Sequence, residues 1–240
     1  VVPREVGVID TLVGVVEWFA DPGNWTGPRA VPTLLAQHLQ ITVLTVLVAS
    51  AIGLPLGLWL GHVGRGGALA TNLSYVGRAA PTFAILVLLA LAPDPFGRNQ
   101  LSTVTALVLF ALPVLLTNAY VGVRGVDPDA VDAARGMGLS VWQILTRVEL
   151  PLAAPLIVGG LRLATTQVIA TATIAALVAG GGLGRIITFG FAVQDTAALL
   201  AGSILVAALA LAAEGLFGLL QRWVSRSPEP EPAAVGGRPR

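Results

Sequence analysis

The sequence has no cysteine and no lysine. Without thiols it makes no disulfide, carries no thiol nucleophile and offers no cysteine ligand to zinc. Its two histidines, His38 and His62, lie at opposite ends of one apolar run, roughly 36 Å apart along a helix, so they cannot share a metal within one chain. Charged residues make up only 11% of the 240 residues, against roughly 25% in a water-soluble domain. A surface so poor in charge is not mostly wetted by water. That excludes an ordinary cytosolic enzyme, a nucleic-acid binder and a disordered chain. The formal net charge of +1 gives no field that would gather DNA or acidic partners. There is no Gly-x-x-x-x-Gly-Lys-Ser/Thr, so nucleotide phosphates cannot be cradled by that route.

What is present is hydrophobic sequence, 55% of the chain, with a mean hydropathy of +0.82. A transmembrane helix needs about 20 apolar residues. The pattern predicts an all-α, polytopic membrane bundle of about five spans: residues 39–60, 72–92, 101–123, 151–179 and 196–220. Three segments divide the chain: an N-terminal segment, 1–33, a transmembrane domain, 34–224, and a tail, 225–240, too rich in Pro, Glu and Arg to bury a core and expected to be disordered. In the first segment, residues 6–20 are interrupted by Asp10 and Glu17 and do not read as a cleavable signal. Ile9, Leu12, Val13, Val16 and Phe19 share one helical face, which predicts an amphipathic helix in the membrane interface with Trp18 and Trp25 at headgroup level. A soluble cap on the first span is the other reading.

Arginine placement sets the orientation. With five spans, Arg65, Arg124, Arg135, Arg147, Arg222, Arg226, Arg238 and Arg240 fall on one side, with Arg78 near it. Arg4, Arg29, Arg98 and Arg185 fall on the other. The richer side is expected to be cytoplasmic, with the N-terminus outside.

The polar loop 124–151 is therefore cytoplasmic. Its core, DPDAVDAARGMGLSVWQILTRVELP, begins at Asp127. An acidic first turn favours a helix over 129–135, Gly136 and Gly138 end it, and Ser140 caps a second helix over 141–148. Pro151 opens the next span in its first turn. A helix–turn–helix standing between membrane spans has the form of a docking site for a soluble partner.

Asp132-Ala133-Ala134, then Gly138, then Val148-x-Leu150-Pro151 resembles the EAA loop of ABC-importer permeases, with Asp132 for the usual Glu and Val148 for Ile. The likeness extends through Gln37-His38-Leu39, Gly53-Leu54-Pro55-Leu56-Gly57, Pro81-Thr82, Asn118-Ala119-Tyr120-Val121-Gly122, Val126-Asp127-Pro128, Gly159-Gly160-Leu161-Arg162 and Ala179-Gly180-Gly181-Gly182-Leu183-Gly184. These segments are similar to permeases that import glycine betaine, carnitine, choline and related osmoprotectants. Residues 1–33 and 225–240 match little.

The resemblance implies the type I ABC importer permease fold and a bacterial plasma-membrane location. It implies a second permease subunit, copy or paralogue, a cytoplasmic ATPase dimer carrying the ATP and magnesium, and an extracytoplasmic solute-binding protein. Asp132, Ala133, Ala134, Gly136, Gly138, Leu150 and Pro151 would couple to the ATPase. Pro81, Arg162, Gly180, Gly181, Gly182 and Gly184 would line the pathway or its gate. No metal site or cofactor is expected in this chain. Aromatics are scarce and scattered (Phe83, Phe96, Phe110, Tyr120, Phe189, Phe191), so no cation–π cage is expected here, and recognition of a quaternary ammonium would fall to the binding protein.

Three other readings stand beside this one. A permease for another small solute, such as an amino acid, would share the fold. A proton-coupled secondary transporter would use a carboxylate inside the membrane, for which Glu214 is the candidate. An intramembrane protease would need Ser203 and a histidine to meet. Arg162 and Glu214 lie roughly 16 and 12 Å from the same membrane face by helix rise. An isolated charge there is costly, so the two are expected to form a buried ion pair.

Overall fold

The computed structural model describes residues 7–68, 72, 81–178 and 180–225. Among them the chain is helical and contains no strand. The order is α1 (Val8–Ala20), a 3-10 turn (Pro22–Asn24), α2 (Val31–Val63), α3 (Thr82–Leu91), α4 (Gln100–Arg124), α5 (Pro128–Gly136) and α6 (Val141–Ile144). A π-helical turn (Leu145–Glu149), α7 (Leu150–Ala175), α8 (Gly184–Val193) and α9 (Thr196–Val224) follow. Of the expected tail 225–240, residues 226–240 lie outside the described residues, as do Arg4, Arg78 and Ala179.

Among the described residues, four helices are long and apolar enough to cross a membrane: α2, α4, the run Val141–Ala175, and α9. Gly53, Gly57 and Gly61 of α2 face Leu115, Ala119 and Val123 of α4 in ascending order, so α2 and α4 run parallel. Of the expected span 72–92, the second half is α3, and residues 73–80 lie outside the described residues. The end of α3 lies beside the start of α4, where the Ser102 hydroxyl donates to the Gly97 carbonyl at 2.7 Å and has the Leu89 carbonyl at 3.3 Å. Helix α7 runs antiparallel to α4, with Ala153 against Gly122 and Gly160 against Asn118. Helix α9 runs antiparallel to α7 in turn, with Gln221 beside Pro155.

The core fills the seam between α2, α4 and α7, where Ile41, Ala49, Leu107, Leu115, Ala164 and Val168 pack together. Prolines inside α2, α4 and α7 (Pro55, Pro113, Pro155) do not end them, because neighbouring helices support the backbone in a bundle.

Three boundaries depart from expectation. Helix α2 begins at Val31, inside the segment assigned to the N-terminus, because Val31 and Leu34 bury against Ile169, Leu183 and Val206. The connection 180–195 is not simply a glycine-rich loop: it contains α8, ten apolar residues long. Trp18 packs against the same core cluster. Val8, Ile9, Leu12, Val13 and Val16 of α1 are exposed as the amphipathic pattern requires. Finally, α6, the π turn and α7 form one unbroken run, with no stop before Pro151.

Candidate functional site

The helix directions put two sites at opposite ends of the bundle. One end holds α5 and α6 with the C-terminal ends of α2, α4 and α9. The other holds α1, α8 and the glycine turn 180–184.

At the first end, Asp127 caps α5 by accepting from the Asp129 amide at 2.9 Å, and Pro128 occupies the first turn. Of the Asp132-Ala133-Ala134 triplet, only Ala134 is buried. It joins Val126, Val131 and Ile144 in a small core of its own, flanked by Leu139 and Val148. A larger side chain at 134 would wedge α5 from α6. Asp132 pairs with Arg135 at 3.0 Å on the open surface, a contact of little energetic weight. Gly136 stays helical, contrary to its expected role as a helix stop. The turn belongs to Gly138 alone, at φ +79°. The Leu139 amide reaches back to the Ala134 carbonyl and the Gly138 amide to Arg135, a Schellman-type end that favours glycine in the left-handed position. Ser140 and Gln143 then close a capping box over α6.

The small core uses the inward side chains and leaves Met137, Val141 and Trp142 outside, 74%, 56% and 67% exposed. The sequence reading overlooked these three. The signal was available, since apolar residues at the tip of a polar loop need something to cover them.

The expected fresh start at Pro151 is replaced by the π turn, in which the Leu150 amide bonds the Leu145 carbonyl five residues back. Proline lacks the N–H for an ordinary turn and its ring crowds the carbonyl four residues earlier. A wider turn just before it accommodates both and keeps the helix continuous. Leu150 and Pro151 thus join the helical hairpin 127–149 to a helix that crosses the bundle.

At the other end, the Gly180 amide bonds the Ala175 carbonyl at 2.8 Å, and Arg98 Nε donates to the Val178 carbonyl at 3.0 Å. Gln37 Oε1 accepts from the Gly182 amide at 3.3 Å. Gly182 has φ +83°, and a Cβ there would stand 2.9 Å from His38 Nδ1. Gly181 and Gly184 are similarly crowded, by Gln37 and by the Thr173 carbonyl. This is a close-packed turn lidded over the start of α2. His38 is fully buried with Nε2 3.1 Å from the Ile169 carbonyl. Pro81 is the exposed N-cap of α3.

Between the ends, Arg162 Nη2 donates to Glu214 Oε1, and Arg162 Nη1 donates to Gln221 Oε1 at 3.2 Å. The Thr166 hydroxyl donates to the Arg162 carbonyl at 2.8 Å. The pair is not buried within this chain: the side chains are 35% and 39% exposed. They border an open cleft of about 730 Å³ also lined by Leu211, Gly215 and Gly218. Ser203 donates to the Leu199 carbonyl of its own helix, and each histidine is engaged elsewhere, so the protease geometry is not formed. Among the described residues no cluster of metal-ligating side chains occurs.

A multi-pass helical bundle with a capped helical hairpin at one end and a glycine-packed turn at the other defines a membrane permease-type protein. The chain belongs to the family of inner membrane components of binding-protein-dependent transport systems, whose model matches residues 53–226. It is 35% identical to the carnitine transport permease protein OpuCB of Listeria monocytogenes, over 77% of this chain and 84% of that protein. It is 33% identical to the osmoprotectant import permease protein OsmW of Salmonella typhimurium, over 79% and 89%. Among solved structures, an inward-facing MetNI methionine ABC transporter is similar with a TM-score of 0.71 and 21% identity, covering 86% of this chain and 99% of that one. At that identity the likeness concerns the fold.

Proposed function

We propose that this chain is the permease subunit of an ATP-driven ABC importer for a small compatible solute such as glycine betaine, carnitine, choline or proline betaine. The observation that carries the reading is the docking segment. It is capped at every turn, has its own small core, presents Met137, Val141 and Trp142 outward, and continues into a helix that crosses the bundle. Such a segment is a lever: a partner that moves its tip moves the span. Relatives named for carnitine, choline and glycine betaine transport support the solute class.

In this reading the partner at the tip is a cytoplasmic ATPase dimer, which carries ATP and magnesium. Asp132, Ala133, Ala134, Gly136, Gly138, Leu150 and Pro151 form the coupling element. The docking end is cytoplasmic together with the C-terminus, and α1 and the glycine turn face outward in a bacterial plasma membrane. There a solute-binding protein delivers its cargo near Gly180, Gly181, Gly182 and Gly184. A second permease, copy or paralogue, covers the cleft beside Arg162 and Glu214, and Pro81 and Arg162 border the pathway. Two bistable arrangements of the docked lever alternate as the ATPase closes and opens.

The test is uptake of labelled glycine betaine, carnitine and choline in cells lacking their own osmoprotectant uptake, supplied with this permease, its ATPase and its binding protein. Uptake that survives collapse of the proton gradient while ATP is maintained supports the reading. Uptake that stops with the gradient identifies a secondary transporter, and uptake of an amino acid alone reassigns the solute.

A further inference from the structure

His62 and Glu149 form a contact that the docking segment does not need for its own fold. His62 Nδ1 lies 2.6 Å from Glu149 Oε2, and the two side chains are only 8% and 6% exposed. His62 stands in the last turn of α2, and Glu149 is the final residue of the π turn that joins the docking segment to α7. The contact thus spans 87 positions in sequence and bridges the first span to the base of the lever.

Its place matters because the helices around it are already fixed. Gly57 and Gly61 seat α2 against α4 at backbone contact, and Gly122 and Gly160 seat α4 against α7. These three helices form one packed body. Beyond Leu150 the lever leaves that body, and its next turn is the π turn, whose wide backbone ring is the natural place for the lever to bend. A buried polar contact is directional and is costly to leave unmade. At this position it joins the bending point to the packed body.

We propose that His62 and Glu149 are positioning residues: a brace that holds the π turn rigid so that motion of the docking segment reaches the membrane helices and is not absorbed at Glu149. The inference rests on reading residues 127–151 as the ATPase-coupling segment. Without the brace, the partner ATPase would still dock and hydrolyse, but less of each cycle would reach the solute pathway.

The experiment uses the assembled transporter in proteoliposomes, measuring solute uptake and ATP hydrolysis on the same preparation and per assembled complex. His62→Ala is expected to keep hydrolysis stimulated by loaded binding protein and to lower the solute moved per ATP about tenfold, because the buried contact is lost. His62→Gln, whose amide can still donate to Glu149, should recover most of that ratio. Glu149→Ala combined with His62→Ala should be no worse than His62→Ala alone, since both remove one contact. The chain has no cysteine, so spin labels on Leu56→Cys and Val141→Cys report the angle across the π turn alone. Their distance distribution should broaden when His62→Ala is added. A wild-type ratio in His62→Ala, or uptake and hydrolysis falling together in proportion, overturns the brace. A wild-type complex with no hydrolysis stimulated by loaded binding protein overturns the coupling reading instead.

Discussion

Gly57 of α2 lies against the backbone of Leu116 of α4 so closely that a Cβ at 57 would stand 2.4 Å from the Leu116 carbonyl oxygen. Backbone cannot swing aside as a side chain can. Small residues at such crossings let membrane helices gain van der Waals contact where no hydrophobic drive exists between them.

Gly57→Ala should therefore force α2 from α4 and cost about 1–3 kcal/mol, the usual range for overpacking. Gly136→Ala is the comparison, because a Cβ there meets nothing within 4 Å. Thermal unfolding of the purified protein in detergent checks both. Equal melting temperatures for the two variants would contradict the close packing of α2 on α4.

Gly138 is a different case: a Cβ meets nothing there, but φ is +79°. The cost of a side chain at this position is backbone strain, about 1–2 kcal/mol for most residues. Asparagine, which tolerates left-handed backbone, should fold better than alanine or aspartate. Gly138→Asp should still insert in the membrane yet fail to couple. If Gly138→Asn also loses ATPase co-purification, the loss lies in the partner's cleft and not in this chain's fold. Normal co-purification and normal solute-stimulated hydrolysis in Gly138→Asp would refute the coupling role.

The helix directions give a topology that can be labelled. With no native cysteine, a single thiol at Asn24 or Asp94 should react with an impermeant maleimide on intact cells. A thiol at Gly138 should react only after permeabilisation. Labelling of Asp94 and Gly138 from the same side would mean that α4, the helix between them, does not cross.

Much of this arrangement is legible in the sequence, and the reasons differ by element. The long spans declare themselves through apolar length, and the segment 127–151 through its acidic turn at Asp129 and the cap at Ser140; the capping roles of Asp127 and Gln143 emerge only in the structure. Gly136 and Gly138 look alike in sequence, and only the Schellman-type bonds from Gly138 and Leu139 show which one turns. The π turn has no local signature beyond Pro151, because it is set by the need to carry a helix past a proline. Glu149 and His62 are 87 positions apart, and no local pattern links them. Helix α8 went unread because the glycines before it dominate the local pattern of residues 180–195.

The last prediction concerns Arg162 and Glu214. Depth alone placed them at one level of the membrane, and they pair, with Gln221 and Thr166 completing the cluster. Yet about a third of each side chain remains open in this chain, beside the cleft lined by Leu211, Gly215 and Gly218. A half-open ion pair facing lipid would be costly, so the face must meet protein or water in the assembled transporter. Removing one member leaves a lone charge on that face. Removing both leaves none. Arg162→Leu and Glu214→Leu should each lower thermal stability of the assembled complex more than the double variant does, since the survivor of a broken pair is the larger burden. Uptake separates a structural pair from a working one. If the pair only holds α7 to α9, the double variant should recover transport along with stability. If Arg162 acts in the pathway, stability should return in the double variant while transport stays low. A double variant no more stable than the worse single would show that the two charges are not mutually dependent.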